Sequence, residues 1–403
     1  MRRILLVLTL LAALLAMPLV AFAQDAPTMP PVACGNLSDE DCTFLEDSKA
    51  ANQTLETYDS VMALDFSLTD IPGLPSDFSF SLDSQGSFSL NPELAATMLE
   101  LQANPPADPA EMAQAFMDAG LSFYSDNMFD LILDITLSDD VAAQLSAQAG
   151  VEIPTEINLP IRLVDGFFYA NVDDLAAIAP GLSGWIGFDL VGMLEASMAQ
   201  SKAALEEGMA SMDSAALGAM VSGNAAMNPE LQAAVNDNLS VERLEDSAVD
   251  GVDVAQFAWS FDLGGFISDP VVIDMIIQQA GAQIAMQAEM GDSAPPVTEG
   301  DLKMIGDMLP MFAPMLLAGV QWETNTSIGI EDLYVYTSET NIAWDLASVI
   351  NMVGAMSGNK AAAAVSGSPA FSLDVSSARS NFNGEVDIVA PEDAVIIPIE
   401  AMQ

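Results

Sequence analysis

Leu64, Phe66 and Leu68 alternate with Asp65, Ser67 and Thr69, and this period of two returns along most of the chain. Successive side chains of a strand point to opposite faces, so the spacing lays apolar groups on one face and polar groups on the other. Phe129, Leu131, Leu133, Ile135 and Leu137 share a face, opposite Asp130, Asp134 and Thr136. Asp165-Gly166 joins Ile161–Val164 to Phe167–Val172, and Asp250-Gly251 joins Leu239–Ser247 to Val252–Leu263. Asp-Gly suits the two-residue hairpin, which needs two consecutive residues with positive φ. Asp83-Ser84-Gln85-Gly86, between Phe78–Leu82 and Ser87–Leu90, reads as a further hairpin loop. Val320–Ile330, Leu333–Thr337 and Asn341–Leu346 continue the meander, and Phe371–Val375 and Val386–Ala390 read as the last strands. Neighbouring strands joined by turns, each with one apolar face, predict an antiparallel sheet covered on one side.

Helices interrupt this pattern, and their starts are marked. Ser38 precedes Asp39, Glu40 and Asp41, an N-cap followed by acids in the first turn. Asn91-Pro92, Asp108-Pro109 and Ser268-Asp269-Pro270 each place a capping residue just before a first-turn proline. Ser138-Asp139-Asp140 opens a helix that Gly150 closes, and Thr298 with Asp301 marks another start. From Leu190 to about Val235 the chain is rich in Ala and Met and helical by propensity, with breaks near Gly223 and Asn228-Pro229. The expected fold class is α+β: a large curved antiparallel sheet, a half-barrel, with helices packed on its concave face. The expected organisation is 1–23 as a signal peptide, 24–53 as a Pro-rich linker with an N-terminal helix, and 54–403 as the sheet domain with Met-rich helical inserts.

Charge removes many functions. The 403 residues hold 58 Asp and Glu, nine Lys and Arg and no histidine, a net charge of −49. Hydrophobic residues make up 51% of the chain, enough for a large core. Without histidine there are no Ser-His or Cys-His nucleophile pairs and no His-containing zinc sites. Nine scattered bases make no nucleic-acid groove, which needs clustered Lys and Arg. The remaining motifs have plainer readings. Ser125-Asp126-Asn127 and Ser357-Gly358-Asn359-Lys360 stand in the reverse of the order used by penicillin-recognising enzymes, and no Lys-Thr-Gly follows. Asp139-Asp140 suits a helix N-terminus, and the spacing of Asp173-Asp174 fixes no catalytic carboxylate separation. Asp246 to Asp253 has acids and a glycine, but Ala248 stands where a calcium loop needs Asp or Asn. The segment reads as a hairpin turn. No cofactor or metal site, and no enzymatic activity, is expected.

The first 23 residues read as an export signal: Arg2 and Arg3, the aliphatic run Ile4–Leu15, and Ala21-Phe22-Ala23 before Gln24. Removing the two arginines takes the charge to −51. The longest later apolar run, Met308 to Val320, is interrupted by Pro310 and Pro314 and is shorter than the ~20 residues a spanning helix needs. A secreted or periplasmic cell-envelope protein with no stable membrane anchor is expected. Cys34 and Cys42 are the two cysteines. In an exported chain they read as a local disulfide, worth roughly 2–3 kcal/mol by loop entropy. The alternative is a lipid-bearing Cys34 in Val32-Ala33-Cys34-Gly35, although Pro31 stands where such a signal has Leu. Asn36, Asn52, Asn238 and Asn325 lie in N-x-S/T sequons.

Trp185, Trp259, Trp322 and Trp344 all fall in strand-like segments, whereas most methionines fall in the inserted helices. An aromatic sheet face opposite flexible thioethers predicts a deformable apolar cavity, and a closed core filled with methionine is the plainer alternative. The cavity candidates are Phe66, Phe80, Phe88, Leu131, Leu133, Phe168, Trp185, Phe257, Trp259, Phe261, Trp322 and Trp344 on strands, with Met304, Met308, Met311 and Met315 facing them.

Leu159-Pro160-Ile161-Arg162-Leu163-Val164-Asp165-Gly166-Phe167-Phe168-Tyr169, followed by Trp185-Ile186-Gly187-Phe188-Asp189, the Val249–Val252 hairpin and Ile388–Ala394, gives a pattern spread over about residues 58–400. It resembles the exported lipid-carrier superfamily typified by LolA and the mycobacterial LppX/LprG lipoproteins. The resemblance implies a half-barrel holding acyl chains against helices, with no chemistry. The function expected is therefore an exported carrier or sensor of lipids or other apolar molecules, with a neutral or cationic envelope partner. The alternative is a structural or interaction protein of the envelope with a closed core and no ligand.

Overall fold

The computed structural model describes residues 34–71, 77–103, 106, 109–176, 178, 181–197, 229–277, 319–347 and 368–398, with isolated positions between 310 and 350. The expectations for residues 1–33, the Thr298 helix start, Ser357–Lys360 and most of the Leu190–Val235 stretch lie outside the described residues. Helix α1 (Asp39–Gln53) leads into strands β1 (Thr57–Thr69) and β2 (Phe78–Ser89). The helical pair α2 (Pro92–Ala103) and α3 (Pro109–Asp126) precedes β3 (Met128–Leu137), α4 (Asp139–Ala149), β4 (Glu156–Val164), β5 (Phe167–Asn171) and β6 (Trp185–Asp189). Then come α5 (Pro229–Asn238), β7 (Leu239–Arg243), β8 (Ser247–Val249), β9 (Val252–Phe261), α6 (Leu263–Ser268), β10 (Val320–Gly329), β11 (Val335–Asp345), β12 (Ala370–Ser380) and β13 (Val395–Ile397).

The thirteen strands of the described residues join one open sheet, ordered β13-β6-β5-β4-β3-β2-β1-β12-β11-β10-β9-β7, with β8 beside β9. Every pairing is antiparallel except that of β13 with β6. The fold is α+β with an unclosed sheet, as the alternation predicts. Both Asp-Gly turns form with positive φ at each residue: Asp165 at 51° and Gly166 at 81°, Asp250 at 51° and Gly251 at 85°. These are the values a two-residue hairpin requires. Gly150 closes α4 at a φ of 70°, its N–H donating to the Ser146 carbonyl.

Three strand assignments differ from the sequence reading. Asp83–Gly86 is not a loop: β2 runs straight through it, pairing Asp83 with Asp134 and Gly86 with Leu131. The alternation Phe78, Phe80, Leu82 stays in phase with Phe88 across the tetrapeptide, which a hairpin reversal would not require. Gly86 is needed there for closeness rather than for a turn, because a Cβ would stand 1.9 Å from the Asp130 carbonyl oxygen. Leu333–Thr337 and Asn341–Leu346 are likewise one strand, β11, whose polar middle Ser338-Glu339-Thr340 pairs with β10 and β12. Val386–Ala390 is irregular, and the last strand is instead Val395–Ile397, parallel to β6.

Cross-strand partners share a face, so the register assigns every side. One face, called inner here, carries Tyr58, Phe88, Phe129, Leu131, Leu133, Leu159, Ile161, Leu163, Phe168 and Ile186, all buried in a single cluster. Leu159, Ile161 and Leu163 are at most 2% exposed, and each such side chain contributes about 1.5–3 kcal/mol. Leu90, Tyr124, Val151, Ile153, Leu175, Ile178, Leu182 and Leu190 close this part of the face. At the other end of the sheet, Phe44 and Leu45 of α1 pack on Val241, Ala255 and Phe257.

The first described residues tie α1 to the edge of the sheet. Cys34 and Cys42 form a disulfide, with a Cα–Cα distance of 5.4 Å. Within its loop, Ser38 caps α1 by accepting from the Asp41 N–H at 3.2 Å. Asn36 Oδ1 accepts from Val241 N–H at 2.8 Å, satisfying a donor on edge strand β7. At its far end α1 holds the β10–β11 turn: Ser48 Oγ and Asn52 Nδ2 both donate to the Leu333 carbonyl, at 2.8 and 3.2 Å. The sequon side chains Asn36 and Asn52 are thus engaged in the fold. Replacing both Cys34 and Cys42 by serine should lower the unfolding free energy by about 2–3 kcal/mol. Denaturant titration of the double variant checks this, and reductant added to the wild type should reproduce the shift.

Across β1, β2 and β12 the outer face is largely polar, and with β3 it carries two pairs of like charges directly opposed: Asp65 with Asp374, and Asp83 with Asp134. Such pairs destabilise a sheet by roughly 0.2–1 kcal/mol, and salt screens them. Asp83→Asn should therefore raise the melting temperature at low ionic strength. Differential scanning calorimetry should find that gain shrinking towards zero in about 1 M salt.

Candidate functional site

Between its two closed ends the inner face is less completely packed. Five strands, β2, β1, β12, β11 and β10, present side chains there in register. One row runs Phe80, Phe66, Leu373, Ile342 and Trp322, and beside it runs Phe78, Leu68, Phe371, Trp344 and Val320. None of these side chains is buried: Trp322 is 38% exposed and the others are half-buried. With neighbouring strands about 4.8 Å apart, the rows extended to β9 span about 24 Å, the scale of a long extended alkyl chain.

The rings contact one another. Phe66 stacks on Phe80 at 5.2 Å and meets Phe78 and Phe371 edge-on at 5.8 and 5.5 Å. Phe261 of β9 meets Trp322 at 5.5 Å and Phe266 of α6 at 5.2 Å. Aromatic pairs at these separations hold a preformed surface without requiring full burial.

All the strand candidates named from sequence except Trp185 share the inner face, and they divide into two kinds. Phe88, Leu131, Leu133, Phe168 and Phe257 are at most 7% exposed, closed into the flanking cores. Phe66, Phe80, Trp259, Phe261, Trp322 and Trp344 line the less packed middle. Trp185 begins β6 on the outer face, opposite Asn171, with Val164, Tyr169 and Ile388 around it. It stands one residue from inner-facing Ile186 and three from Phe188, odd steps that put it on the opposite side, so strand membership alone does not place a tryptophan on the right face. Met311 is 60% exposed, and Met304, Met308 and Met315 lie outside the described residues. Sequence reading missed Phe78, Phe371, Leu373 and Ile342; their parity with Phe66 and Trp344 was the available signal.

The carboxylates near this surface lie across the sheet. Asp59, Asp65, Asp83, Asp374, Glu339, Asp345 and Glu323 of the five strands all point outward by register. On the inner side of the paired rows the charged group is Arg379, whose guanidinium lies 5.2 Å from the Tyr58 ring centre. Several of the described residues weighed for chemistry hold local structure. Asn127 Oδ1 accepts from Asn91 N–H at 2.7 Å, joining the ends of the α2–α3 insert. Asp173 and Asp174 accept from the Gly184 and Asn158 N–H groups at 2.8 and 2.9 Å. Asp246 pairs with Arg243 beside its turn. Among the described residues no helix is long and apolar enough to cross a membrane.

The chain is similar to two mycobacterial proteins of solved structure. Lipoprotein LppX of Mycobacterium tuberculosis aligns with 87% of this chain and 100% of its own, at 8% identity and a TM-score of 0.27. LprF of Mycobacterium bovis aligns with 88% of this chain and 98% of its own, at 12% identity and a TM-score of 0.29. No family model and no curated protein matches the chain.

Below the less packed rows, at the start of β11, Tyr336 donates its hydroxyl to Asp332 Oδ2 at 2.7 Å and packs edge-on against Phe382. Burial, then the bond to Asp332 and its charge, push the phenol up to about 12. The folded value lies above the ordinary value of 10.0, so the native state holds this proton more tightly than the unfolded chain does. The stability it contributes is complete below about pH 10 and is lost as pH rises through about 12. Absorbance titration should show a late phenolate step near 12 that is lost in Tyr336→Phe.

Proposed function

We propose that this chain is an exported, non-enzymatic binding protein, a carrier or sensor of lipids or other apolar molecules. The observation that carries the reading is the pair of aromatic rows on the inner face of β2, β1, β12, β11 and β10. The same face is closed to 7% exposure or less at Phe88 and Phe257 on either side, yet Trp322, Phe66 and Trp344 between them stay incompletely covered. A continuous apolar surface of this width, left half-packed inside an otherwise closed face, suits an apolar guest that completes the packing. Removal of carboxylates to the outer face supports the same reading, since burying an unpaired charge against hydrocarbon is costly.

Native mass spectrometry of the purified chain should show lipid-sized adducts lost on organic extraction. The extracted protein should brighten a neutral naphthylamine probe, and the two substitutions Phe66→Asp and Trp344→Asp should each weaken probe binding at least about tenfold. A protein that carries no lipid and leaves the probe dark would sink the reading. Circular dichroism of each variant separates lost binding from lost folding.

A further inference from the structure

The half-packed face is not uniformly apolar along its strands. Two residues from the Phe80–Phe66–Leu373–Ile342–Trp322 row lies a mixed row, where Thr340 and Thr324 are cross-strand partners with hydroxyls 3.0 Å apart. Two residues further on, the row reads Ser84, Met62, Ser377, Ser338 and Thr326. Each two-residue step is about 6.7 Å along the strand. The surface therefore passes from rings to hydroxyls within roughly 13 Å, on one face and across the same strands. A strand gains nothing from serine at core-facing positions, because an isolated buried hydroxyl costs free energy unless it finds a partner. Ser84, Ser377, Ser338 and Thr326 are half-buried, on the side the fold otherwise reserves for Phe and Leu.

We infer that this face is polarised and selects an amphiphile with an uncharged, oxygen-bearing head, its hydrocarbon on the aromatic rows and its head on the hydroxyl rows. The inference rests on the carrier reading above and adds orientation and charge selection to it. Hydroxyls both donate and accept, so they satisfy an alcohol, ester or amide head without a net charge. An anionic head would be placed among strand rows that carry no cation of their own, Arg379 lying one row beyond and over the Tyr58 ring. It would also enter the field of a chain of net charge −49. A cationic head gains from that field at long range, but the acids that create it on these strands point away from the face, and at about 0.15 M salt the attraction is screened within about 8 Å.

Three probes with the same ten-carbon chain test this at that ionic strength: monodecanoylglycerol, decanoate and decyltrimethylammonium, measured by titration calorimetry. Monodecanoylglycerol should bind at least about tenfold tighter than either ion. The combined variant Ser338→Ala, Ser377→Ala, Thr340→Val should reduce that preference to less than about threefold while retaining binding of the neutral naphthylamine probe. A brominated chain end should quench the fluorescence of Trp322 and Trp344 more than bromine placed beside the head. Equal binding of an ion, an unchanged preference in the variant, or reversed quenching would each overturn the inference while leaving the carrier reading standing. Failure of all three probes, and of the naphthylamine, would overturn both.

Discussion

A carboxylate in this chain cannot in general be neutralised by pairing; it has to be hydrated. With 58 acids and nine bases there are too few partners, and burying an unpaired carboxylate costs far more than one hydrogen bond returns. Each strand must therefore send its acids to water, and in a strand this decides the position of every other residue, because the period is two. The acid-free inner face of β1, β2, β10, β11 and β12 is the complement of that requirement. On the outer side one base meets this need: Arg162 pairs with Asp130 at 3.0 Å and lies 5.0 Å from the Trp185 ring centre. The residual cost is visible where aspartates meet across strands, as at Asp83 and Asp134, with Asn158 Nδ2 donating to the latter at 2.6 Å.

An open sheet has two edges, and both are managed by segments distant in sequence. On the β7 side the disulfide-closed loop supplies Asn36 to the Val241 N–H, and α1 covers the adjoining inner face. On the β6 side the chain after β12 does the work. Asn383 N–H donates to the Thr57 carbonyl, Val386 and Ile388 pack with Val164, Tyr169 and Trp185, and Arg162 donates to the Val389 carbonyl at 3.1 Å. Val395–Ile397 then pairs in parallel with Ile186–Phe188. Exposed strand edges invite pairing with other chains, and a sheet of this size needs such covers to stay single.

These features explain what was legible in the sequence. The hairpins at Asp165-Gly166 and Asp250-Gly251 were readable because the required backbone conformation leaves few alternatives. The helix starts at Ser38, Asn91-Pro92 and Ser138 were readable for the same kind of reason. Asp83-Ser84-Gln85-Gly86 misled because its composition is that of a turn, whereas its phase with Phe88 is that of a strand, and tertiary packing against Asp130 decided between them. Val395–Ile397 could not be found by periodicity, since three residues hold no period, and its partner β6 lies some two hundred residues earlier. The aromatic face was legible as a class of residues but not as a surface: parity puts Phe371 in it and Trp185 out of it, and parity has meaning only once register is known.

Register also explains why a half-packed surface and a stable sheet can coexist. The strands under the aromatic rows are held by long, uninterrupted ladders, β1 pairing with β2 from Thr57 to Leu68 and with β12 from Asp59 to Thr69. Those ladders draw their stability from backbone bonds and from cores at both flanks, so the middle of the inner face is free to be shaped by something other than folding. Sequence there departs from what folding alone would choose, in two directions at once. Rings stay incompletely covered, and serine and threonine occupy rows that β3 and β4 fill with Leu and Ile. A closed core would have filled both sets of positions with aliphatic side chains in contact with one another. A surface that is apolar at one end, hydroxyl-bearing at the other and free of carboxylates on these strands is what the proposed amphiphilic guest would require.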